Sequence, residues 1–314
     1  MIYCQTLDPH TPLPTYDAVQ SYCVVMPSSG DATDVYLPAH LAPGQTTLPV
    51  ALLLQGGRVD KRYYRMFATA VARYGFIVLV PNHMNTFSFY PGNVTEGLFS
   101  EMQQIPDTLA YTAAQHDNAS SPLYRLVDTE RMVLLGHSYG AACAIGALQE
   151  QCEYPFCEEG ATFTLPAAVK CAALCGINTS PRGKPLDRAI SPTYNNGLPL
   201  AFVNGARDNN ARYLESIISY ARIQDPPKAL VFINGANHYA MCDQNNPPGP
   251  GEDPNPPLLS QEESAAISAR WCALFCRAHA LQDQVALTYV NRTGRYLDPD
   301  IELFIQDAGV TDQP

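Results

Sequence analysis

The amino-acid sequence predicts an α/β protein in which a mostly parallel sheet is covered by helices on both faces. Two observations lead to this prediction. Short apolar runs, such as residues 48–54 and 76–81, alternate with longer segments whose apolar residues recur at helical spacing. Hydrophobic residues make up 46% of the chain and charged residues only 16%, which is typical of a packed globular protein. The 314 residues are enough to bury a large core without help from a metal or a disulfide.

The predicted elements follow one another in a regular order. An antiparallel hairpin comes first, formed by SYCVVMP and DATDVYLP. Strands are then predicted at LPVALLL, FIVLVP, RMVLLG, AAVKCAALCGI, LPLAFVNG and KALVFING. Helices are predicted at KRYYRMFATAVARYG, IPDTLAYTAAQ, SYGAACAIGALQE, ARYLESIISYARI and SQEESAAISARWCALFCRAHAL. The segment MNTFSFYPGNVTEGLF and the proline-rich NPPGPGEDPNPP are predicted to be irregular.

None of the irregular segments is long enough to form a separate folded cap. We therefore expect a single domain over residues 1–290 and a loosely attached C-terminal tail over residues 291–314.

The net charge and the composition of the start of the chain limit which partners and which cellular compartment are expected. A net charge of −11 excludes nucleic acid, because phosphate binding needs clustered lysine and arginine. The start of the chain has no basic and apolar leader, and no apolar run approaches the roughly 20 residues that span a bilayer. We expect a cytoplasmic or membrane-peripheral protein, with a transient contact to a membrane or pigment surface and a secreted form both left open. The oligomeric state is also left open.

The ten cysteines do not form a recognisable metal site, so neither a metal nor another cofactor is predicted. Cys171 and Cys175 lie on one predicted strand at a separation of about 13 Å, too far apart to bond. Cys272 and Cys276 share a helix face and are expected to pack as small apolar residues. Cys152 and Cys157 flank a proline and would pair in an oxidising environment.

The sequence Gly136-His137-Ser138-Tyr139-Gly140 fits the pattern G-x-S-x-G between a predicted strand and a predicted helix. In that context the pattern indicates a nucleophile elbow, a sharp turn that holds the serine hydroxyl exposed. The flanking glycines are needed because side chains there would collide with the neighbouring strand and helix. The alternative is an ordinary tight turn, but strand, turn and helix all in register favour a catalytic serine at Ser138.

A serine hydroxyl needs a base to remove its proton, and the elbow predicts an acid and then a histidine at the ends of later strands. Asp208 follows the strand LPLAFVNG, and His238 follows KALVFING. The alternatives are that Asp208 is a helix N-cap and that His238 is an ordinary turn residue. Their order along the chain and their positions just after strand ends favour a Ser-His-Asp triad. Asp225 and Asp243 are the fallback acids, at less suitable positions.

The same reasoning predicts an oxyanion hole, two N–H groups that bind the negative oxygen formed during attack on a carbonyl. One donor is the backbone of Tyr139, the residue after the serine. The other is expected in the loop after the first core strand, where Gly57 is the choice. Gly56 and Gly57 also suit an ordinary turn at the end of a strand, and both interpretations can hold.

Five segments together resemble the α/β-hydrolase superfamily, from about Leu48 to Met241: LLLQGG, GFIVLVPN, LLGHSYGAACA, LAFVNGARD and INGANHYAM. Within it the chain is similar to the branch of dienelactone hydrolases, platelet-activating-factor acetylhydrolases, cutinase-like polyester hydrolases and chlorophyllases. QGG with the following Tyr63-Tyr64, and the VPN strand end, most resemble chlorophyllases and their bacterial relatives. The chain departs from the plant pattern at Tyr139, where arginine is usual, and at Gln55, where His-Gly is usual.

The resemblance implies a single-domain α/β-hydrolase fold and hydrolysis of the phytyl ester of chlorophyll to chlorophyllide and phytol. Ligands of open α/β sheets bind beyond the carboxyl ends of the strands, where the segment after FIVLVP carries several apolar residues. An apolar wall for a hydrophobic ester and a loop folded onto the core are equally compatible with it. The predicted substrate-binding residues are Gln55, Gly56, His83, Met84, Phe87, Phe89 and Tyr90.

Two other functions stay open at this point. A cutinase-like polyester or lipid esterase would use the same triad, and a secreted form with a Cys152–Cys157 bridge would favour it. A catalytically inactive α/β-hydrolase that serves as a binding module would usually have lost a triad residue.

Overall fold

The computed structural model describes residues 8, 10–42, 44–90, 93–158, 160–180 and 190–307; the side chains of residues 87–90 and 93 lie outside that description. It confirms an α/β architecture built on one mixed, mostly parallel sheet. The sheet has nine strands in the order β1-β2-β4-β3-β7-β8-β9-β10-β11. These strands are β1 Val19–Val25, β2 Ala32–Pro38, β3 Leu48–Leu54, β4 Ile77–Asn82, β7 Val127–His137, β8 Val169–Cys175, β9 Leu200–Gly205, β10 Lys228–Ile233 and β11 Ile301–Gln306.

The six central strands, from β4 to β10, run parallel, and β1, β2 and β11 run antiparallel to their neighbours. The carboxyl ends of the central strands therefore share one edge of the sheet. The helices are α1 Arg65–Arg73, α2 Gln104–Asp117, α3 Tyr139–Leu148, α4 Tyr213–Arg222, α5 Gln261–Ala280, α6 Gln284–Thr288 and α7 Gly294–Leu297. A 3₁₀ turn at Lys61–Tyr64 precedes α1, and a π-helical turn at Tyr289–Thr293 separates α6 from α7.

Two apolar layers enclose the sheet, because successive side chains of a strand point to opposite faces. In β3, Ala51 and Leu53 face the layer that contains Phe67 of α1 and Trp271 of α5. The alternate residues of β3, which include Leu52, face the layer formed with α2, α3 and α4. Each fully buried large apolar side chain contributes about 1.5–3 kcal/mol of hydrophobic stabilisation. Helices therefore cover both faces, as the continuous apolar strands predict.

The predicted N-terminal hairpin is confirmed, since β1 and β2 pair antiparallel along their whole length. The prediction that MNTFSFYPGNVTEGLF is irregular is wrong. Its two halves form β5 Met84–Tyr90 and β6 Asn93–Leu98, an antiparallel pair separate from the main sheet. Alternating polar and apolar residues on both sides of a Pro-Gly dipeptide were the local signal for this hairpin.

The C-terminal tail is not loosely attached over residues 291–307. Strand β11 pairs antiparallel with β10 and forms one edge of the main sheet. Upstream of β11, buried Asp298 accepts hydrogen bonds from Arg270, with which it forms an ion pair, and from Trp271 Nε1 at 2.9 Å. Alternating apolar residues in IELFIQ were a strand signal. The far end of the predicted tail, residues 308–314, lies outside the described residues.

The structure joins Cys152 to Cys157 by a disulfide bond. Cys171, Cys175, Cys272 and Cys276 are free and fully or nearly fully buried. They belong to the layer between the sheet and α5, where they pack as small apolar side chains.

Removing β11 is expected to destabilise the protein, because it exposes the hydrogen-bonding edge of β10 and uncovers apolar surface. We expect truncation after Asp300 to lower the free energy of unfolding by about 3 kcal/mol or more, measured by urea denaturation. Truncation after Asp307, which keeps β11, is the matched control. Equal stability of the two truncated chains would show that β11 contributes little.

Candidate active site

The turn between β7 and α3 holds Ser138 in an unusual backbone conformation, with φ 50° and ψ −110°. A non-glycine residue in such a region costs about 1–3 kcal/mol and persists only where its surroundings impose it. Here the Ser138 N–H donates to Cys175 O at 2.9 Å, and Ser138 O accepts from Ala142 N–H at 3.0 Å. This is the geometry that the G-x-S-x-G pattern predicts for a nucleophile elbow.

The glycines of the pattern are required by close backbone contacts. A Cβ atom at Gly140 would lie 2.2 Å from Leu54 O, and one at Gly136 would lie 2.8 Å from Ala141 Cα. Such distances are far below van der Waals contact, so any side chain would push α3 away from β3 or β7. The two glycines thus allow the helix to start directly over the strand ends.

Ser138, His238 and Asp208 form one hydrogen-bonded chain. His238 Nε2 lies 3.0 Å from Ser138 Oγ, and His238 Nδ1 lies 2.8 Å from Asp208 Oδ2. Asp208 and His238 are buried, and Ser138 is partly exposed. The residue types, the order along the chain and the distances match what a serine nucleophile, a base and an orienting acid require.

Asp208 is held in place by its own loop as well as by the histidine. Its Oδ1 accepts hydrogen bonds from the N–H groups of Asn210 and Ala211, both at 2.7 Å. Burial by itself raises the pKa of Asp208, but His238 and these N–H donors outweigh that effect and lower it below its ordinary value. Asp208 is therefore a carboxylate, and its second oxygen accepts from the imidazole. The N-cap of α4 is Arg212 and not Asp208.

Asp253, which no sequence pattern marked as functional, connects the loop of Asp208 with the loop of His238. Asp253 is buried, and its Oδ2 accepts hydrogen bonds from Asn209 N–H at 3.1 Å and from His238 N–H at 3.0 Å. It lies in the proline-rich segment NPPGPGEDPNPP, for which no periodic signal exists. An acidic pair, Glu252-Asp253, within a proline-rich segment was the only hint.

The fallback acids lie elsewhere. Asp225 Oδ2 accepts from Gly197 N–H at 3.1 Å, just before the amino end of β10. Asp243 accepts from Met66 N–H at 2.8 Å and pairs with Arg65. Neither is hydrogen-bonded to His238, so Asp208 is the acid that the structure brings to the histidine.

The predicted oxyanion donors are close together. A Cβ atom at Gly57 would lie 3.4 Å from Tyr139 Cβ, which places the loop after β3 beside the start of α3. The N–H of the preceding Gly56 donates to Tyr64 Oη at 2.9 Å. Among the described residues no acceptor is bonded to the Gly57 N–H, whereas Arg58 N–H donates to Leu98 O at 2.6 Å. Gly57 is thus the residue of this loop whose N–H can bind an external oxygen.

Several predicted substrate-binding residues hold the loop after β3 in place. Gln55 is fully buried, and its Oε1 accepts from His83 N–H at 3.1 Å, so the structure gives it a supporting role, and its contact with a substrate stays a prediction. Gly56 already uses its N–H on Tyr64. Met84 is 54% exposed at the start of β5 and is able to contact a ligand. The side chains of Phe87, Phe89 and Tyr90 lie outside the described part of the structure.

His83 forms a largely buried ionic cluster behind residues 55–58, the loop after β3 that is the predicted oxyanion loop. Its Nδ1 lies 3.0 Å from Asp31 Oδ2, and its Nε2 lies 3.3 Å from Glu101 Oε1. Burial lowers the pKa of His83, but the hydrogen bonds and charges of Asp31 and Glu101 outweigh it and raise the pKa to about 9. The imidazolium therefore ties the turn of the N-terminal hairpin to the segment before α2. Both ring nitrogens are engaged, which argues against the predicted substrate contact.

Three aromatic rings form a row beside the serine. The rings of Phe99 and Tyr139 have centroids 5.0 Å apart, and the rings of Tyr139 and Phe156 are also 5.0 Å apart. Phe156, which sequence analysis did not single out, lies inside the loop closed by the Cys152–Cys157 bridge. Its carbonyl accepts from Met102 N–H at 2.9 Å. Phe99 is buried in this aromatic row and Tyr139 and Phe156 are partly exposed, so the row is an apolar cluster next to the proposed nucleophile.

No protein-family model matches this chain, and no curated protein is significantly similar to it in sequence. Within the described residues, no group of three His, Cys, Asp or Glu side chains could hold a metal ion. In the same part of the chain, none of the helices has the length and apolar character needed to cross a bilayer.

The close contact at Gly140 predicts a large effect of a single methyl group. We expect Gly140→Ala to lower the free energy of unfolding by about 3 kcal/mol, because Leu54 O cannot move without displacing β3. Gly251→Ala is the matched control, since nothing lies within 4 Å of its Cβ position. Its stability should stay within about 0.5 kcal/mol of the original in urea denaturation. Equal stability of the two variants would contradict the packing argument.

The His83 cluster predicts a pH-dependent contribution to stability. A histidine whose pKa is raised by folding stabilises the protein fully below its unfolded pKa of about 6.5, and this contribution is lost as pH rises towards 9. We expect the stability difference between the original chain and Asp31→Asn to shrink between pH 6.5 and 9. Urea denaturation at several pH values measures it. A difference that stays constant would mean that His83 carries no charge in the folded protein.

Proposed function

We propose that this protein is a serine carboxylic-ester hydrolase of the α/β-hydrolase superfamily. The observation that carries the proposal is the hydrogen-bonded chain from Ser138 through His238 to Asp208, at the edge of the sheet where the parallel strands end. The strained backbone of Ser138 and the Ser-Asp-His order along the chain support the superfamily assignment.

The proposed reaction starts with transfer of the Ser138 hydroxyl proton to His238 Nε2. Ser138 Oγ then attacks the ester carbonyl carbon, and the resulting oxyanion accepts hydrogen bonds from the N–H groups of Gly57 and Tyr139. Buried, ionised Asp208 orients the imidazole and stabilises its charged form.

Collapse of the tetrahedral intermediate breaks the bond to the alcohol oxygen, which takes the proton from His238 Nε2. The acyl group remains on Ser138 Oγ. His238 next removes a proton from water, and the hydroxide formed attacks the acyl carbon. The second collapse releases the carboxylic acid and returns the proton to Ser138.

A bulky hydrophobic ester is the proposed substrate class, and chlorophyll is the specific candidate. The aromatic row of Phe99, Tyr139 and Phe156 supports an apolar substrate, as do Met84 and Val94, which are 54% and 67% exposed on the β5–β6 hairpin. The hairpin also suits a transient contact with a membrane or pigment surface. The similarity of QGG and VPN to chlorophyllases supports the choice of chlorophyll.

One observation favours the second candidate, a cutinase-like polyester or lipid esterase. The Cys152–Cys157 bridge closes the loop that carries Phe156, and disulfides persist mainly in oxidising compartments. A catalytically inactive binding module is disfavoured, because Ser138, His238 and Asp208 are all present and hydrogen-bonded.

The test pairs two substrates with three variants. Turnover of a short-chain chromogenic ester and of chlorophyll a in detergent is measured for the original chain and for Ser138→Ala, Asp208→Asn and Asp225→Asn. We expect Ser138→Ala to remove activity and Asp208→Asn to lower kcat by about 10⁴-fold, as in other enzymes with this triad. Asp225→Asn, the matched control, should leave kcat unchanged.

The outcomes separate the candidates. Activity on both substrates that Ser138→Ala removes supports the chlorophyllase-like function. Activity on the short ester alone keeps the mechanism and directs the search for the substrate to lipids and polyesters. Unchanged turnover in Ser138→Ala would contradict the mechanism. A severe loss of kcat in Asp225→Asn together with a mild loss in Asp208→Asn would assign the role of the triad acid to Asp225. Inactivity on both would favour the binding module.

A further inference from the structure

His137 is a fully buried, titratable residue that the proposed mechanism does not use. It precedes Ser138 in the elbow, yet its ring is bonded to two other parts of the site. Its Nδ1 lies 2.9 Å from Tyr64 Oη, and its Nε2 lies 2.9 Å from His238 O. Tyr64 is also fully buried, and its Oη accepts the N–H of Gly56 at 2.9 Å. Three hydrogen bonds thus connect the oxyanion loop with the backbone of the proposed base.

The donors and acceptors allow only one direction for this series of three hydrogen bonds. The carbonyl of His238 only accepts, so His137 Nε2 carries a proton and donates it. Burial lowers the pKa of His137 to about 3, so the ring is neutral and Nδ1 holds a lone pair. Nδ1 therefore accepts the hydroxyl proton of Tyr64, whose oxygen is left to accept from Gly56. Every donor and acceptor along the chain is satisfied.

The ring of His137 is held in a narrow slot between two glycines. A Cβ atom at Gly56 would lie 2.6 Å from His137 Nδ1, and one at Gly176 would lie 3.3 Å from His137 Cδ2. The rings of Tyr64, His238 and Tyr239 surround it, with centroids at 5.8, 5.0 and 6.0 Å. Neither nitrogen is available to Ser138, so His137 is not an alternative base.

We infer that His137 and Tyr64 are positioning residues that hold the oxyanion loop and His238 in register with each other. The inference rests on the proposed function. Gly56 precedes Gly57, the proposed oxyanion donor, so an anchored Gly56 N–H restricts where the Gly57 N–H points. At the other end, an anchored carbonyl restricts the backbone from which the His238 imidazole reaches Ser138. A misplacement of about 1 Å in such a site can cost about 100-fold in rate.

The test removes the tyrosine hydroxyl and keeps its ring. We expect Tyr64→Phe to lower kcat for the short-chain chromogenic ester by about 10- to 100-fold, because the donors and the base lose alignment mainly in the transition state. KM should change by less than about threefold, since the aromatic row is untouched. Tyr239→Phe is the matched control: its hydroxyl bonds Gly251 O, and its ring contacts the same histidine.

A second pair of variants tests the histidine. Glutamine offers a donor group and an acceptor group, whereas leucine offers neither. We expect His137→Gln to retain a kcat at least about tenfold above that of His137→Leu, a rescue that space-filling alone does not produce. Should His137→Leu fail to fold, the comparison of Tyr64→Phe with Tyr239→Phe decides. Should Tyr64→Phe fail to fold, the comparison of His137→Gln with the original chain decides. The kcat of His137→Gln should then be lower than that of the original chain, and its KM should be unchanged.

An NMR measurement tests the direction of these hydrogen bonds and does not depend on esterase activity. We expect the ¹⁵N NMR signals of His137 to show a proton on Nε2 and none on Nδ1 between pH 5 and 8 in the folded protein. A proton on Nδ1, or titration in this range, would overturn the inference.

The kinetic outcomes separate this inference from the proposed function. Activity that depends on Ser138 but is equal in Tyr64→Phe and Tyr239→Phe overturns the inference alone. An equal kcat in His137→Gln and His137→Leu does the same. Activity that Ser138→Ala leaves unchanged, or no esterase activity at all, overturns the proposed function and the inference with it. A selective loss of kcat in Tyr64→Phe supports both.

Discussion

The contact between the start of α3 and the end of β3 is made by bare backbone, with Gly140 lying against the Leu54 carbonyl. The rest of the site depends on this contact. It brings the first turn of α3 beside the loop that contains Gly57, and it leaves Ser138 as the residue that absorbs the change of chain direction. The strain at Ser138 is about 1–3 kcal/mol, and the hydrogen bonds of its N–H and carbonyl oppose it.

Three loops that are far apart in the sequence then meet around the serine, and polar groups hold each of them. Asp253 accepts from the loops of Asp208 and His238, and His137 joins the His238 loop to Tyr64 and Gly56. Loops of this kind expose backbone groups that are costly to bury without partners. The same hydrogen bonds that satisfy the backbone thus restrict the geometry on which the proposed chemistry depends.

Burial lowers the pKa of two histidines of the same region, but their neighbours differ. For His137 burial is the largest effect, the neighbouring His238 adds to it, and the opposing effects of the His238 carbonyl and Asp208 are smaller, so the pKa falls to about 3. His83 lies between Asp31 and Glu101, and these carboxylates outweigh burial and raise its pKa to about 9. The neutral ring is able to accept from Tyr64, and the charged ring ties two segments together behind the predicted oxyanion loop. The environment, and not the residue type, assigns the protonation state.

Local sequence patterns were sufficient to predict the central strands, the five longer helices, the elbow and the order of Ser138, Asp208 and His238, because each depends on neighbouring residues and on simple periods. Other features were decided only by the tertiary structure. The partners of His137 are 73 and 101 residues away, and no local pattern marks such pairs. The same holds for Asp253, for the burial of Gln55 and for the pairing of β11 with β10. Their roles follow from which segments meet in space, and packing of the whole chain determines that.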